Sequence, residues 1–359
     1  MSIWNWNQKC RTKSISRKDV NAVSNKVKTR DPIFDVMKGI GIVLMLIGHV
    51  PPGEHVYHFI YSFHMPLFFL VAGSFATSVH NSKDAFIKDA KRLLLPVLVT
   101  MAFIIGLSPL YYFIDGNFHN VITQVLSLLW MGDAFDTKWG RVTIDSMWFL
   151  MALFWVRCLF RYIASWCERI NKYKDEIILG ICIIISFAAI SLHKILPPIP
   201  FGLLKGLSAI QFYAIGWYLK HHKLPKWVYG LFVGCWLAAL RFGGLDMVRY
   251  YYGCYPLDVI GAVGATIVVY VLSRVICARV GKVGKFFQWL GVNSLLILCV
   301  NTLDRKTCVV RAIKYAFGLK IIGVPSVLFH YAVEVVLFVV IVHFSLFKSI
   351  YGTKQWKEI

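Results

Sequence analysis

Residues Asp31–Gly73 read DPIFDVMKGIGIVLMLIGHVPPGEHVYHFIYSFHMPLFFLVAG. Two long apolar runs lie here, yet Asp35, Lys38, His49 and His64 sit in them or at their edges. Ionisable side chains at bilayer depth are costly and face a bundle interior or a wet cavity, which makes them site candidates. Lys38 and His49 are eleven residues apart. At 3.6 residues per turn, that spacing returns to the same helix face about 16 Å further along. One face therefore carries a cation near one membrane boundary and an imidazole toward the other.

The rest of the chain agrees with a membrane setting. Its 359 residues are 58% hydrophobic and 16% charged, with a mean hydropathy of +0.62. Several windows approach or exceed the length needed to cross about 30 Å of hydrocarbon. The runs are continuous rather than alternating, which excludes a β-barrel. The expected class is all-α and polytopic, with ten spans at 33–50, 56–79, 93–114, 145–166, 176–193, 204–220, 227–241, 256–278, 287–303 and 325–347. Asn117–Trp130 is too short for an eleventh and reads as an interfacial or re-entrant segment.

A net charge of +21 raises nucleic-acid binding. The basic residues instead cluster in the N-terminal tail and in alternate loops, as topology signals do, so no nucleic-acid partner is expected. Loops carrying Lys83, Lys88, Lys91 and Arg92, then Arg169, Lys172 and Lys174, alternate with loops poor in lysine and arginine, which puts both termini in the cytosol. One loop breaks the rule. Asp304–Lys320 should lie outside but holds Arg305, Lys306, Arg311, Lys314 and Lys320, so it either folds back as an amphipathic segment or marks an error in the span count. Residues 1–30 are polar and basic, with no apolar core before a cleavage site, and read as a cytosolic tail rather than a signal peptide. The transmembrane domain runs from 31 to 349, and 350–359 forms a short cytosolic tail. Nine cysteines show no CxxC pattern and read as small buried hydrophobes.

His49 precedes Pro51–Pro52–Gly53, which ends its helix. It is either a general base, with an ordinary pKa near neutrality, or a residue of the interfacial belt. Lys38 pairs with Asp35 across one turn or snorkels to the surface. His58 and His64 precede Pro66, which frees a backbone carbonyl and makes a bend beside them able to open a polar pocket facing His49. Three histidines raise a metal site, but acidic ligands at metal spacing are missing, so no metal is expected. Lys88, Lys91 and Arg92 either hold the phosphates of a cytosolic cofactor or act as membrane anchors. Arg157 and Arg161 look more like snorkelling residues. Glu334, mid-way in the last span, must pair or stay protonated, and its partner is not readable from sequence.

These residues resemble the membrane acyltransferase-3 family, ten-span O-acyltransferases of surface glycans. The family opens with an Asp–x–x–Arg helix and a histidine after ten intervening residues. Here the pattern reads Asp35-Val-Met-Lys38, then Gly48-His49, with lysine for arginine as in the branch of enterobacterial-common-antigen acetyltransferase and fucose 4-O-acetylase-like proteins. Phe63-His64-Met65-Pro66-Leu67-Phe68-Phe69 with Gly73, Lys91-Arg92-Leu93 with Pro96, Met147-Trp148-Phe149-Leu150, Phe212–Gly216 and Gly291–Leu295 are similar to the same branch. The resemblance implies an integral protein of the bacterial inner membrane that moves an acetyl or similar acyl group from acyl-CoA, acetyl-CoA being the expected co-substrate. The acceptor is a hydroxyl of a cell-surface glycan or lipid-linked sugar, and membrane lipids are the surroundings. His49 is the implied essential histidine, with His64 as a second catalytic candidate. Lys38, Lys88, Lys91 and Arg92 are implied donor-binding residues, and Asp35, Trp148, Asn293 and Glu334 are support. Asn301 departs from the family, whose ninth span often shows a histidine there. Direct transfer and an acyl-histidine intermediate both remain open. The rival classes are a transporter of a glycan or acyl group, which predicts discontinuous helices in matching halves, and a partner of a polysaccharide synthase.

Overall fold

The computed structural model describes residues 31–49, 53–76, 83–115, 119–170, 172–279, 281–307, 317–318, 324–343 and 350–353. The basic stretch 1–30, most of the segment after Thr307 and the last six residues lie outside the described residues. The architecture is helical. In chain order come α1 (Pro32–His49), α2 (Glu54–Tyr61), α3 (His64–Ser74), α4 (Lys83–Asp115), α5 (His119–Trp130), α6 (Trp148–Trp166), α7 (Lys174–Leu192) and α8 (Leu203–His221). They are followed by α9 (Lys226–Phe242), α10 (Leu257–Arg279), α11 (Gly281–Val292), α12 (Ser294–Thr307) and α13 (Val324–His343). Two small antiparallel hairpins, β1 (Phe135–Thr137) with β2 (Gly140–Val142) and β3 (Leu245–Asp246) with β4 (Tyr251–Tyr252), stiffen the loops.

Among the described residues, six helical stretches are long and apolar enough to cross a membrane, and a seventh is the bent pair α11–α12. This is fewer than the ten spans expected. Helix α8 is a buried central helix that carries Lys205 and Gln211, and α9 has only 17 residues. The second span is interrupted at Ser62–Phe63 between α2 and α3. Pro66 has no N–H to give the carbonyl four residues back, so the ladder opens where that partner is missing. The α11–α12 pair is bent by 65° at Asn293. Outward-facing Ile184, Leu231, Leu237 and Val335 are exposed. In a bilayer such side chains meet lipid, which is as apolar as they are.

Close helix crossings fix the frame of the site. A Cβ on Gly39 would lie 2.0 Å from the Phe287 carbonyl oxygen, and one on Gly291 would lie 1.7 Å from that of Asp35. Only hydrogen fits at either position, so α1 and α11 touch backbone to backbone, as small residues allow in membrane bundles. Gly73 and Gly216 bring α3 and α8 together in the same way.

Candidate active site

Helix α1 ends at His49, and what surrounds its ring comes from three other elements. His49 Nδ1 lies 2.7 Å from Asn301 Oδ1 on α12, and Asn301 Nδ2 donates to Glu334 Oε1 on α13 at 2.7 Å. The second bond orients the first. With its amide nitrogen committed to a carboxylate, Asn301 turns its carbonyl oxygen to His49, and an acceptor there requires the proton on Nδ1. Nε2 is then the basic nitrogen. It faces Ser146 Oγ at 3.4 Å, in the short helical turn that leads into α6. Ser146 Oγ also lies 3.2 Å from Asp145 Oδ1, and Asp145 Oδ2 holds Arg305 Nε at 3.4 Å. The Tyr331 hydroxyl donates to the Leu46 carbonyl at 2.6 Å and ties α13 to the last turn of α1.

His64 is buried, with Nδ1 2.9 Å from the Ile60 carbonyl oxygen and its ring edge-on to Tyr61. Its Nδ1 faces its own chain across the α2–α3 break rather than a substrate space. His58 is drawn away to the Leu240 carbonyl at 3.2 Å, which joins α2 to α9.

At the opposite end of α1, Lys38 Nζ pairs with Asp35 Oδ1 at 2.7 Å, and both line a cavity of about 980 Å³. Lys88, Lys91 and Arg92 of α4 line the same cavity, as does Arg157 of α6. Five basic side chains there face three carboxylates, those of Asp31, Asp35 and Asp84, so the mouth is net positive. Burial raises the pKa of the Asp31 carboxyl, with the Ile33 N–H acting in the opposite direction. Arg157 does not snorkel. Its Nη2 pairs with Asp89 Oδ1 at 2.9 Å, Arg161 bonds the other carboxylate oxygen, and α4 is thereby clamped to α6. Tyr351, near the chain's end, is buried against the cavity and meets Thr100 Oγ1 at 3.0 Å.

The cavity becomes apolar away from the mouth, with Ile42, Met45, Met65, Phe68, Phe149 and Leu298 as its lining. Three of its inner elements lead to the His49 cluster within one more turn: Met45 is followed by His49 on α1, Leu298 by Asn301 on α12, and Phe149 on α6 is preceded by Ser146 in the turn before that helix. On α1 the last residue that lines the cavity, Met45, thus stands about one helical turn from His49.

The loops on the His49 side form a second polar cluster that the sequence did not reveal. Lys205 is 5% exposed. Its Nζ contacts Asp133 Oδ1 at 2.9 Å and the Val248 carbonyl at 3.0 Å, and lies over the Tyr250 ring at 4.3 Å and the Trp148 ring at 5.7 Å. The Tyr250 hydroxyl donates to Asp133 at 2.7 Å. Burial, and then the Asp133 charge, push its pKa well above the usual phenol range. The Tyr57 hydroxyl donates to Asp246 at 3.1 Å. Trp148 thus packs on the cation that pins the 131–134 and 243–256 loops to α8. Asn293 is fully buried at the α11–α12 bend, where its Nδ2 donates to the Trp289 carbonyl at 3.0 Å. Ser146, Arg305 and Lys205 were the residues missed. Arg305 had a signal, as a cation on the wrong side of the charge rule. Lys205 had one too, as a lysine inside an apolar run.

A family model described as an acyltransferase domain matches residues 31–352. No curated protein and no solved structure matches the chain.

Proposed function

Because the chain belongs to the acyltransferase-3 family, we propose that it is an integral membrane O-acyltransferase. It takes an acetyl or similar acyl group from acyl-CoA and gives it to a hydroxyl of a cell-surface glycan or lipid-linked sugar. The branch that it follows is that of enterobacterial-common-antigen acetyltransferase and the fucose 4-O-acetylase-like proteins. We place it in the bacterial cytoplasmic membrane with ten spans and both termini inside, α8, α9 and α13 supplying the crossings beyond the seven.

One observation carries this reading: a positive-mouthed cavity ends one helical turn short of an imidazole whose free nitrogen is fixed by its neighbours. Lys88, Lys91 and Arg92 suit the phosphates of a coenzyme A donor, with Arg preferred for bidentate contacts. The narrow apolar part suits its uncharged arm. The thioester arrives at the Met45 and Met65 level and reaches Nε2 once those flexible side chains swing aside. His49 Nε2 then removes the proton of the oxygen that attacks the thioester carbon, and the Asn301–Glu334 pair holds the ring as it becomes cationic. Asp145 holds Arg305 beside this point, so its guanidinium supplies the positive charge that an oxyanion requires. Lys38 and Asp35 lie too far along α1 for that task and serve the donor end.

His49→Ala, compared with wild type at matched membrane expression, tests the reading through glycan O-acetylation in cells. Loss of the ester with normal glycan abundance is expected. Unchanged acetylation would remove His49 from the chemistry, and loss of the glycan itself would favour transport or a synthase partner.

A further inference from the structure

We propose that Ser146 is a transient acyl carrier, so that donor and acceptor react in separate steps; this rests on the acyltransferase reading above. The geometry is that of an activated nucleophile: hydroxyl, base and orienting group in series. Ser146 Oγ lies 3.4 Å from His49 Nε2, and Asn301 occupies the far side of the ring. In an unliganded site such contacts are often longer than in the reacting complex. Ser146 is only 7% exposed. Its single hydroxyl proton has two acceptors within reach, His49 Nε2 at 3.4 Å and Asp145 Oδ1 at 3.2 Å, which compete for it.

The backbone supports this placement. Asp145 adopts φ 51°, a left-handed conformation uncommon for residues with a side chain. Its carboxylate is used on both sides, by Ser146 and by Arg305. Strained backbone of this kind gathers at functional sites. One turn further on, Phe149 lines the cavity, while the preceding residues belong to the loops on the other side. Ser146 therefore stands between the donor's space and the outer loops.

In the first step Oγ attacks the thioester carbonyl carbon while its proton passes to His49 Nε2. The C–S bond breaks, and the thiolate of coenzyme A takes that proton and leaves. In the second step an acceptor hydroxyl gives its proton to His49 and attacks the acyl-serine carbonyl. The C–Oγ bond breaks, and Oγ recovers the proton. Donor thioester and acceptor alcohol become thiol and ester, with serine regenerated and no further reactant.

The test uses the purified full-length chain in lipid nanodiscs with radiolabelled acetyl-CoA alone. Acid quenching, followed by digestion and mass spectrometry, locates any label. The expected result is acetyl on Ser146 in wild type and acetyl-CoA–CoA exchange without acceptor. Ser146→Ala should show neither, and its transfer to the acceptor should drop by roughly 10³-fold or more. Ser146→Cys should retain the label in a form released by hydroxylamine. Donor binding and melting temperature of the Ala variant, matched to wild type, separate chemistry from misfolding. Label on His49, turnover without exchange, or near-normal transfer by the folded Ala variant would each overturn the carrier and leave the acyltransferase reading standing. Wild type that transfers no acetyl to its glycan would overturn both.

Discussion

Replacing Asn301 with alanine alters no residue that lines the donor cavity; it removes what stands behind the His49 ring and the amide that donates to Glu334. Its Oδ1 is 2.7 Å from Nδ1, and its Nδ2 is 2.7 Å from Glu334. Without it the imidazole can carry its proton on either nitrogen, and the tautomer protonated at Nε2 has no base to offer the attacking oxygen. The larger loss comes in the transition state, where the ring becomes cationic. A hydrogen bond to a charged group contributes about 1.5–3 kcal/mol, and each 1.36 kcal/mol is tenfold in rate, so kcat/KM should drop about 10- to 150-fold. The KM for acetyl-CoA should stay within a factor of two, because Asn301 does not line the cavity. Initial rates at varied acetyl-CoA, with purified protein in nanodiscs and saturating acceptor, separate the two constants. A variant that folds, binds donor and keeps kcat within twofold would refute the tautomer argument. A higher KM with unchanged kcat would place Asn301 in donor binding.

Three other outcomes follow from the same geometry. Alanine at Lys91 and Arg92 together should raise the KM for acetyl-CoA by about tenfold or more with little change in kcat, in proportion to one or two lost charge-assisted contacts; an unchanged KM would return both residues to the role of membrane anchors. Gly291→Ala forces a carbon to within 1.7 Å of the Asp35 carbonyl oxygen, and overpacking of this kind costs about 1–3 kcal/mol, so its melting temperature in detergent should drop, whereas Gly106→Ala, which meets nothing within 4 Å, should be neutral. Lys205→Met leaves the Asp133 carboxylate without its ammonium partner and should destabilise by about 3–5 kcal/mol, with part of the loss recovered when Asp133→Asn is added; simple additivity in denaturant titrations would exclude the pair as the cause.

What sequence could show here followed from periodicity and cost. The Lys38–His49 spacing needs only the helical repeat, and an ionisable residue in an apolar run stands out whatever surrounds it. The helices α1, α4, α6, α7 and α10 were legible for the same reason, as was the Pro66 interruption. Pairings between helices were not. Glu334 was visible as a buried acid, but its link to His49 passes through Asn301, 33 positions away on another helix. Asn301 itself showed only as a departure from a family pattern. Arg157 and Arg161 looked like anchors because their partner, Asp89, lies in α4 far from them in sequence. The charge rule puts Arg305 out of place, and Asp145 beside His49 gives the physical reason: a cation held for a local carboxylate need not obey a topology signal. Gly73, Gly216 and Gly291 stand in the sequence only as letters of stretches that resemble a family; backbone contact between crossing helices is what they permit.

The apolar ring formed by Met45, Met65, Phe149 and Leu298 has an electrical meaning as well. In the orientation proposed above, a cavity of about 980 Å³ that admitted water would carry the cytosolic potential inward toward that ring and thin the insulating layer there. A voltage normally spread over about 30 Å of hydrocarbon is then concentrated across a few ångströms. Any charge formed on or moved through the ring works against nearly the full potential, about 2.3 kcal/mol per charge at 100 mV. An uncharged thioester passes through that field freely. In the proposed reading, the anionic part of an acyl-CoA donor would stay on the near side of it.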